Sequence, residues 1–141
     1  MYATPGGVKV PSVNTILDAT SDKSHLIACR QRVGEEKAKQ ITKEAAGVGT
    51  SMHGFLEHYT KGEQLPNKSN LVHVQGRKMA EVVIQDGLNK VDEVWGSEVH
   101  LYYPDLYAGT TDLVGVHNGV PAIMDFKQTN KPKKEEWVDN Y

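Results

Sequence analysis

"YAGTTDLVGVHNGVPAIMDFKQT", residues 107–129, reads as two strands joined at Asn118-Gly119. Asn-Gly is the strongest two-residue hairpin signal, because a type I′ turn needs positive φ at both central positions and these residues accept it at little cost. With the turn placed there, His117 faces Val120 and every further pair keeps the same sum of residue numbers. Asp112 then stands directly opposite Asp125. Counted outward from the turn, that pair falls on a non-hydrogen-bonded rung, where Cα atoms approach to about 4.5 Å and side chains are closest. Lys127 follows two residues later on the same face. Like charges directly opposite each other destabilise a strand pair, so a positive charge is expected between the two carboxylates.

A hairpin at a solvated sheet edge would tolerate these charges, and Pro121, which donates no ladder bond, suits an edge or a strand start. The neighbours favour burial: Val114 and Ile123 share the carboxylates' face, and Leu113, Met124 and Phe126 occupy the other. Buried charge without partners is costly. The reading adopted is a divalent-cation site built on Asp112 and Asp125.

Upstream of the hairpin, "EVWGSEVHLYY" (93–103) reads as a strand and "PDLY" (104–107) as a turn. Glu98 lies mid-strand; its facing is not fixed by the pattern, and it is a candidate to support the metal ligands from behind rather than to bind the ion itself. A helix is expected from Ser69 or Asn70 to about Asn89, burying Val74, Met79, Val82 and Val83, after the polar loop "KGEQLPNKSN" (61–70). In "AAGVGTSMHGFLEHY" (45–59), Gly47 and Gly49 are expected to end one helix, and Thr50 or Ser51 to cap the next, with Met52, Phe55, Leu56 and Tyr59 as its core stripe. Gly54 costs about 1 kcal/mol relative to Ala inside a helix and suggests close approach by another backbone or a ligand. The preceding helix, capped by Ser21 or Asp22, should run to about Ala46. Its buried stripe would be Leu26, Cys29, Val33, Ala38 and Ile41, with Arg30, Arg32, Lys37, Lys39 and Lys43 on the other face. "PSVNTIL" (11–17) is expected to begin extended, and "KKEEWVDNY" after Pro132 looks like the first turns of a helix left unfinished.

At 141 residues the chain is expected to form one domain, residues 1–141. Sixteen Lys and Arg against eighteen Asp and Glu give a formal charge of -2, which excludes a broadly basic nucleic-acid binder, so any such binding must be local. Cys29 is the single cysteine, which excludes a disulfide framework, a cysteine zinc site and a four-cysteine iron-sulfur cluster. No apolar run approaches a membrane span, and "MYATPGGVKVPSV" lacks the basic start and apolar stretch of a signal peptide. The expectation is a soluble protein of a bacterial or phage-infected cytoplasm.

His53 and Glu57, four apart on a helix, more often form a surface pair than a ligand pair. A Gly-rich helix start and a separate acidic hairpin in need of a cation change that balance. An imidazole with two or three carboxylates suits Mg²⁺ or Mn²⁺. Lys127 has a bland reading as a strand-end lysine that reaches for water. The sharper one sets its ammonium beside the water that attacks a phosphodiester. "KQTNKPKK" adds Lys131, Lys133 and Lys134, a basic edge for a phosphate backbone, with Thr50 and Gln128 as further candidate DNA contacts.

Asp, a hairpin, and then Asp-Xaa-Lys, here Asp112 and "DFK" (125–127), resembles the active-site pattern of the PD-(D/E)XK nuclease superfamily. With His53 in "GTSMHGFLE", the chain is more narrowly similar to the RecB-type branch, and within it to phage exonucleases and the mitochondrial genome maintenance exonuclease. "PSVNTIL", "RQRVGEE", "YAGTTDLVG" and "DFKQTNKPKKEEWVDNY" carry the likeness over residues 10–141. The resemblance implies an α/β, restriction-endonuclease-like core: N-terminal helices packed on a small mixed sheet with a central antiparallel hairpin. It implies Mg²⁺- or Mn²⁺-dependent exonuclease action on single-stranded or frayed DNA ends, in replication or recombination, leaving a 5′-phosphate. Asp112, Asp125 and His53 would be ligands or their close supports, with the Phe126 carbonyl completing the metal shell and Lys127 at the nucleophile. Relatives often carry a basic residue before Gly-Thr, where this chain has Val48, and their pattern continues past "DNY" into a further helix and strand. Two other readings stay open: a junction-type endonuclease, and a DNA-binding domain that keeps the nuclease fold without cutting.

Overall fold

The computed structural model describes residues 1–129, so Lys131, Lys133, Lys134 and the helix expected after Pro132 lie outside the described residues. The elements in order are β1 (Tyr2–Ala3), β2 (Lys9–Val10), α1 (Val13–Thr20), α2 (Ser24–Val33), α3 (Glu35–Thr60), α4 (Leu71–Asp86), a single 3₁₀ turn (Leu88–Lys90), β3 (Val91–Tyr103), β4 (Tyr107–His117) and β5 (Val120–Met124). This is an α/β arrangement of four helices and two small sheets among the described residues. Both sheets are antiparallel rather than mixed: β1 pairs with β2, and β4 runs between β3 and β5. The one parallel contact among the described residues is an isolated bridge, Ser12 to Ala108, which ties the start of α1 to β4.

The hairpin forms in the expected register. Asn118 and Gly119 take φ of 48° and 76°, and the pairs run from His117–Val120 to Leu113–Met124. Backbone pairing stops there, so Asp125 stands opposite Asp112 just beyond the ladder rather than on a regular rung. Residues 125–129 continue as irregular chain, held by side-chain bonds described below.

The helices depart from expectation at their ends. α3 runs unbroken through Gly47 and Gly49, because each glycine lets another element close: a Cβ at Gly47 would lie 3.2 Å from Val72, and one at Gly49 3.3 Å from the Gln128 side chain. The break falls at Gly34, whose φ of 86° no other common residue adopts cheaply, and it separates α2 from α3. Leu26, Cys29 and Ile41 are exposed, so the stripe expected along this stretch survives only as Ala38, with Val33 half-buried. "PSVNTIL" turns helical at Val13, where Ser12 Oγ accepts from Thr15 N at 3.0 Å as an N-cap. For α4, Asn70 is the cap, accepting from His73 N at 2.9 Å.

Met52, Phe55 and Leu56 of α3 pack with Ala80 of α4 into the core, joined by Met79, Val83, Ile84, Leu88 and Phe126. Each of the larger side chains contributes about 1.5–3 kcal/mol by burial. Tyr59, Val74 and Val82 lie outside it, exposed. What brings α4 close is Gly76, where an added Cβ would sit 2.6 Å from Ser51 Cβ and 2.9 Å from Met52 N. Gly54, by contrast, has nothing within 4 Å of its Cβ position, so the close approach expected there belongs to Gly76. Helix layer and sheet are bonded at Thr60 Oγ1 to Ser97 Oγ, 3.1 Å.

Candidate metal centre

His53 lies on the side of α3 that meets the sheet, beside the buried Met52 of the core stripe. Its Nδ1 is 3.2 Å from Asp112 Oδ1, and Asp112 is only 13% exposed in its side chain. The other carboxylate oxygen, Oδ2, accepts from Phe126 N at 2.6 Å. The irregular chain after β5 is thus folded back onto the central strand by the carboxylate itself. The Phe126 ring stands 6.3 Å from the His53 ring and packs on the core. Phe126 therefore does reach the site; the contact found is through its N–H.

Glu98 enters the same space from β3. The pairs Ser97–Leu113 and Val99–Thr111 flank it, which puts Glu98 across from Asp112 on the neighbouring strand. Its φ is +53°, a left-handed conformation that is rare within a strand and costs about 1–3 kcal/mol. One ligand atom each from His53, Glu98 and Asp112 lie within 4.8 Å of one another. The sequence placed Glu98 in a supporting position with its facing open; the geometry groups it directly with His53 and Asp112.

Asp125 and Lys127 adjoin this trio. Lys127 Nζ lies 2.8 Å from Asp125 Oδ2, both side chains more than half exposed. Asp125 stands opposite Asp112 just beyond the ladder and is the smallest of the influences that hold its carboxyl low. Glu57 is not brought in: its carboxylate is held by Lys61 one turn along α3. Thr50 is exposed on α3. Gln128 is turned inward, its Nε2 donating to Ala45 O at 2.6 Å and its side chain lying against Gly49. Val48, just before Gly49-Thr50, is 7% exposed and part of the packed side of α3.

His53 and Asp112 shift each other in opposite directions. His53 titrates above its ordinary 6.5, chiefly through its hydrogen bond to Asp112 and against the opposing effect of burial. Burial alone would raise Asp112. The His53 contact, the Phe126 N–H, the charge of His53 and the contact with Asp125 outweigh it and hold the carboxyl below its ordinary 3.8. In chemical terms an imidazole and a carboxylate face each other at 3.2 Å, in a place where a divalent cation would find one nitrogen and several oxygens. That donor set fits Mn²⁺ or Mg²⁺ and lacks the thiolates that favour softer metals.

No protein-family model matches this chain, and no curated protein matches it significantly. No described helix is long and apolar enough to cross a membrane.

Proposed function

We propose that this chain is a Mg²⁺- or Mn²⁺-dependent deoxyribonuclease with a restriction-endonuclease-like core, acting as an exonuclease on single-stranded ends. The observation that carries the reading is the convergence of His53, Glu98 and Asp112 from three elements within 4.8 Å, with the Asp125–Lys127 pair alongside. In this reading His53, Asp112 and Glu98 hold the cation, and Asp125 adjoins it. Once bound, such an ion supplies Lewis-acid charge to a scissile phosphate and acidifies a water molecule.

The remaining work falls to the chain. Lys127 is exposed at the edge of the acidic group, placed to hold an attacking water and to offset the phosphate's charge. Asp125 restrains the Lys127 ammonium at 2.8 Å, so the ammonium is positioned before substrate arrives. Phe126 N holds Asp112 in a single orientation, leaving its Oδ1 toward His53. The left-handed backbone of Glu98 fits a residue held in place for its carboxylate rather than for strand pairing.

The test is a titration of Mg²⁺ and Mn²⁺ with end-labelled linear and circular single strands. The reading expects linear DNA to shorten from an end, circular DNA to stay intact, and Asp112→Asn to stop both metal binding and cleavage. Cutting of circular DNA would replace it with an endonuclease. DNA binding with no cleavage under either metal would replace it with a binding module.

A further inference from the structure

A cavity of about 520 Å³ opens beside the candidate centre, with Asp125 and Lys127 in its wall. Its other walls are mostly aromatic and aliphatic. Tyr103 and Tyr107 pair across the β3–β4 turn with ring centroids 5.7 Å apart and planes inclined by 26°, a stacked pair. Both rings remain exposed, at 55% and 41%, and Tyr102 and Leu101 are also exposed. On the opposite side α1 leans over the sheet at Gly109, where an added Cβ would lie 3.3 Å from Val13 Cγ2. Asn14, on the first turn of α1, lines the same space and carries an amide able to read a polar edge.

We infer that this cavity takes the bases of single-stranded DNA, stacked on Tyr103 and Tyr107, while the adjoining phosphate meets Lys127. The inference rests on the nuclease reading for what happens at Lys127, but the binding it describes does not. A half-exposed pair of stacked rings offers a flat π surface of the kind that accepts a base regardless of its identity. In a duplex each base already has both faces covered and is turned inward, so such a wall is of use only to an unpaired base. Lys127 is already ion-paired with Asp125 in the same wall, so a ligand's anion would share or replace that partner. A ligand that offers an aromatic plane to the tyrosines and an anion at that pair has the chemistry of a single-stranded nucleotide chain.

The experiment measures binding in EDTA, where no cleavage can occur, by anisotropy of labelled oligothymidine and of a fully abasic strand of equal length. The chain of residues 1–141 should bind the abasic strand at least about tenfold more weakly, and a matched duplex more weakly than either single strand's base-bearing form. The double variant Tyr103→Ala, Tyr107→Ala should lose that preference for bases, and Tyr103→Phe, Tyr107→Phe should keep it, since the ring and not the hydroxyl is the platform. Melting curves of the two variants check that both fold. Equal binding of oligothymidine and abasic strand by the parent, an alanine variant that still prefers bases, or no binding to any strand would overturn the inference. Metal-dependent cleavage is scored separately. Cleavage without base preference removes this site and leaves the nuclease reading, whereas base preference without cleavage under Mg²⁺ or Mn²⁺ does the reverse.

Discussion

Asp112 is asked to do two things at once: accept from Phe126 N and face His53. Replacing it by Ala strands a part-buried N–H as well as the imidazole, and should cost about 1–3 kcal/mol in the metal-free protein. The pair also gives the stability a definite pH dependence. His53 is raised in the folded protein, so its contribution is complete below the unfolded value of 6.5 and is lost as pH rises through the folded one. Asp112 is lowered, so its contribution is present above 3.8 and is lost as pH falls through its folded value. The difference in melting temperature between parent and His53→Gln, without metal, should therefore be largest between those two values and shrink on the alkaline side. A difference that grows steadily toward alkaline pH would mean that the imidazole and the carboxylate are not paired. Lys127 and Asp125 separate by role. Asp125→Ala should weaken both Mn²⁺ binding and cleavage. Lys127→Ala removes a competing positive charge, so calorimetry should find Mn²⁺ affinity unchanged or raised while single-turnover cleavage falls by orders of magnitude.

The glycines of α3 and α4 show which parts of the fold could be read from sequence and which could not. The hairpin was legible because its information is local: Asn118-Gly119 names its own turn, and the register follows by counting. Gly47 and Gly49 look like helix breakers by the same local logic, each costing about 1 kcal/mol. They are instead places where Val72 and Gln128 come close, and packing between distant segments outweighs propensity. Glu98 was unreadable for a different reason. Register shifts between Val91 and Glu93 and between Val94 and Gly96 break the two-residue alternation just upstream, and its own positive φ breaks it again. The turn places Asp112 opposite Asp125 by counting, and Asp125 pairs with Lys127 beside the trio, whereas the approach of His53 to Asp112 is tertiary and follows from no local spacing. Two substitutions test the helix account. Gly76→Ala drives a methyl into Ser51 and the Met52 backbone and should cost about 1–3 kcal/mol. Gly54→Ala meets open space inside a helix and should stabilise by up to about 1 kcal/mol, both seen as shifts in denaturant midpoint.

The site sits where two layers meet. His53 belongs to the helical core of α3 and α4, whereas Glu98 and Asp112 belong to the sheet, and the bonds found between the layers include His53–Asp112, Thr60–Ser97 and Gln128–Ala45. An ion held by His53, Glu98 and Asp112 would bridge helix layer and sheet, and its binding energy would add directly to the free energy of separating them. At a hundred times its dissociation constant that is about 2.7 kcal/mol. α2 has no share in this: it buries no side chain and leaves Leu26 and Ile27 exposed. Amide hydrogen exchange should therefore find α2 among the fastest-exchanging helices with or without metal, since few buried contacts hold it. Adding Mn²⁺ should slow exchange in α3 around His53, in β3 around Glu98 and in β4 around Asp112 together, with α2 unchanged. His53→Ala should abolish the slowing in the strands as well as in the helix, because one ion ties both. Slowing confined to the hairpin would show an ion held by Asp112 and Asp125 alone, and His53 would then be a positioning residue for Asp112 through their 3.2 Å contact.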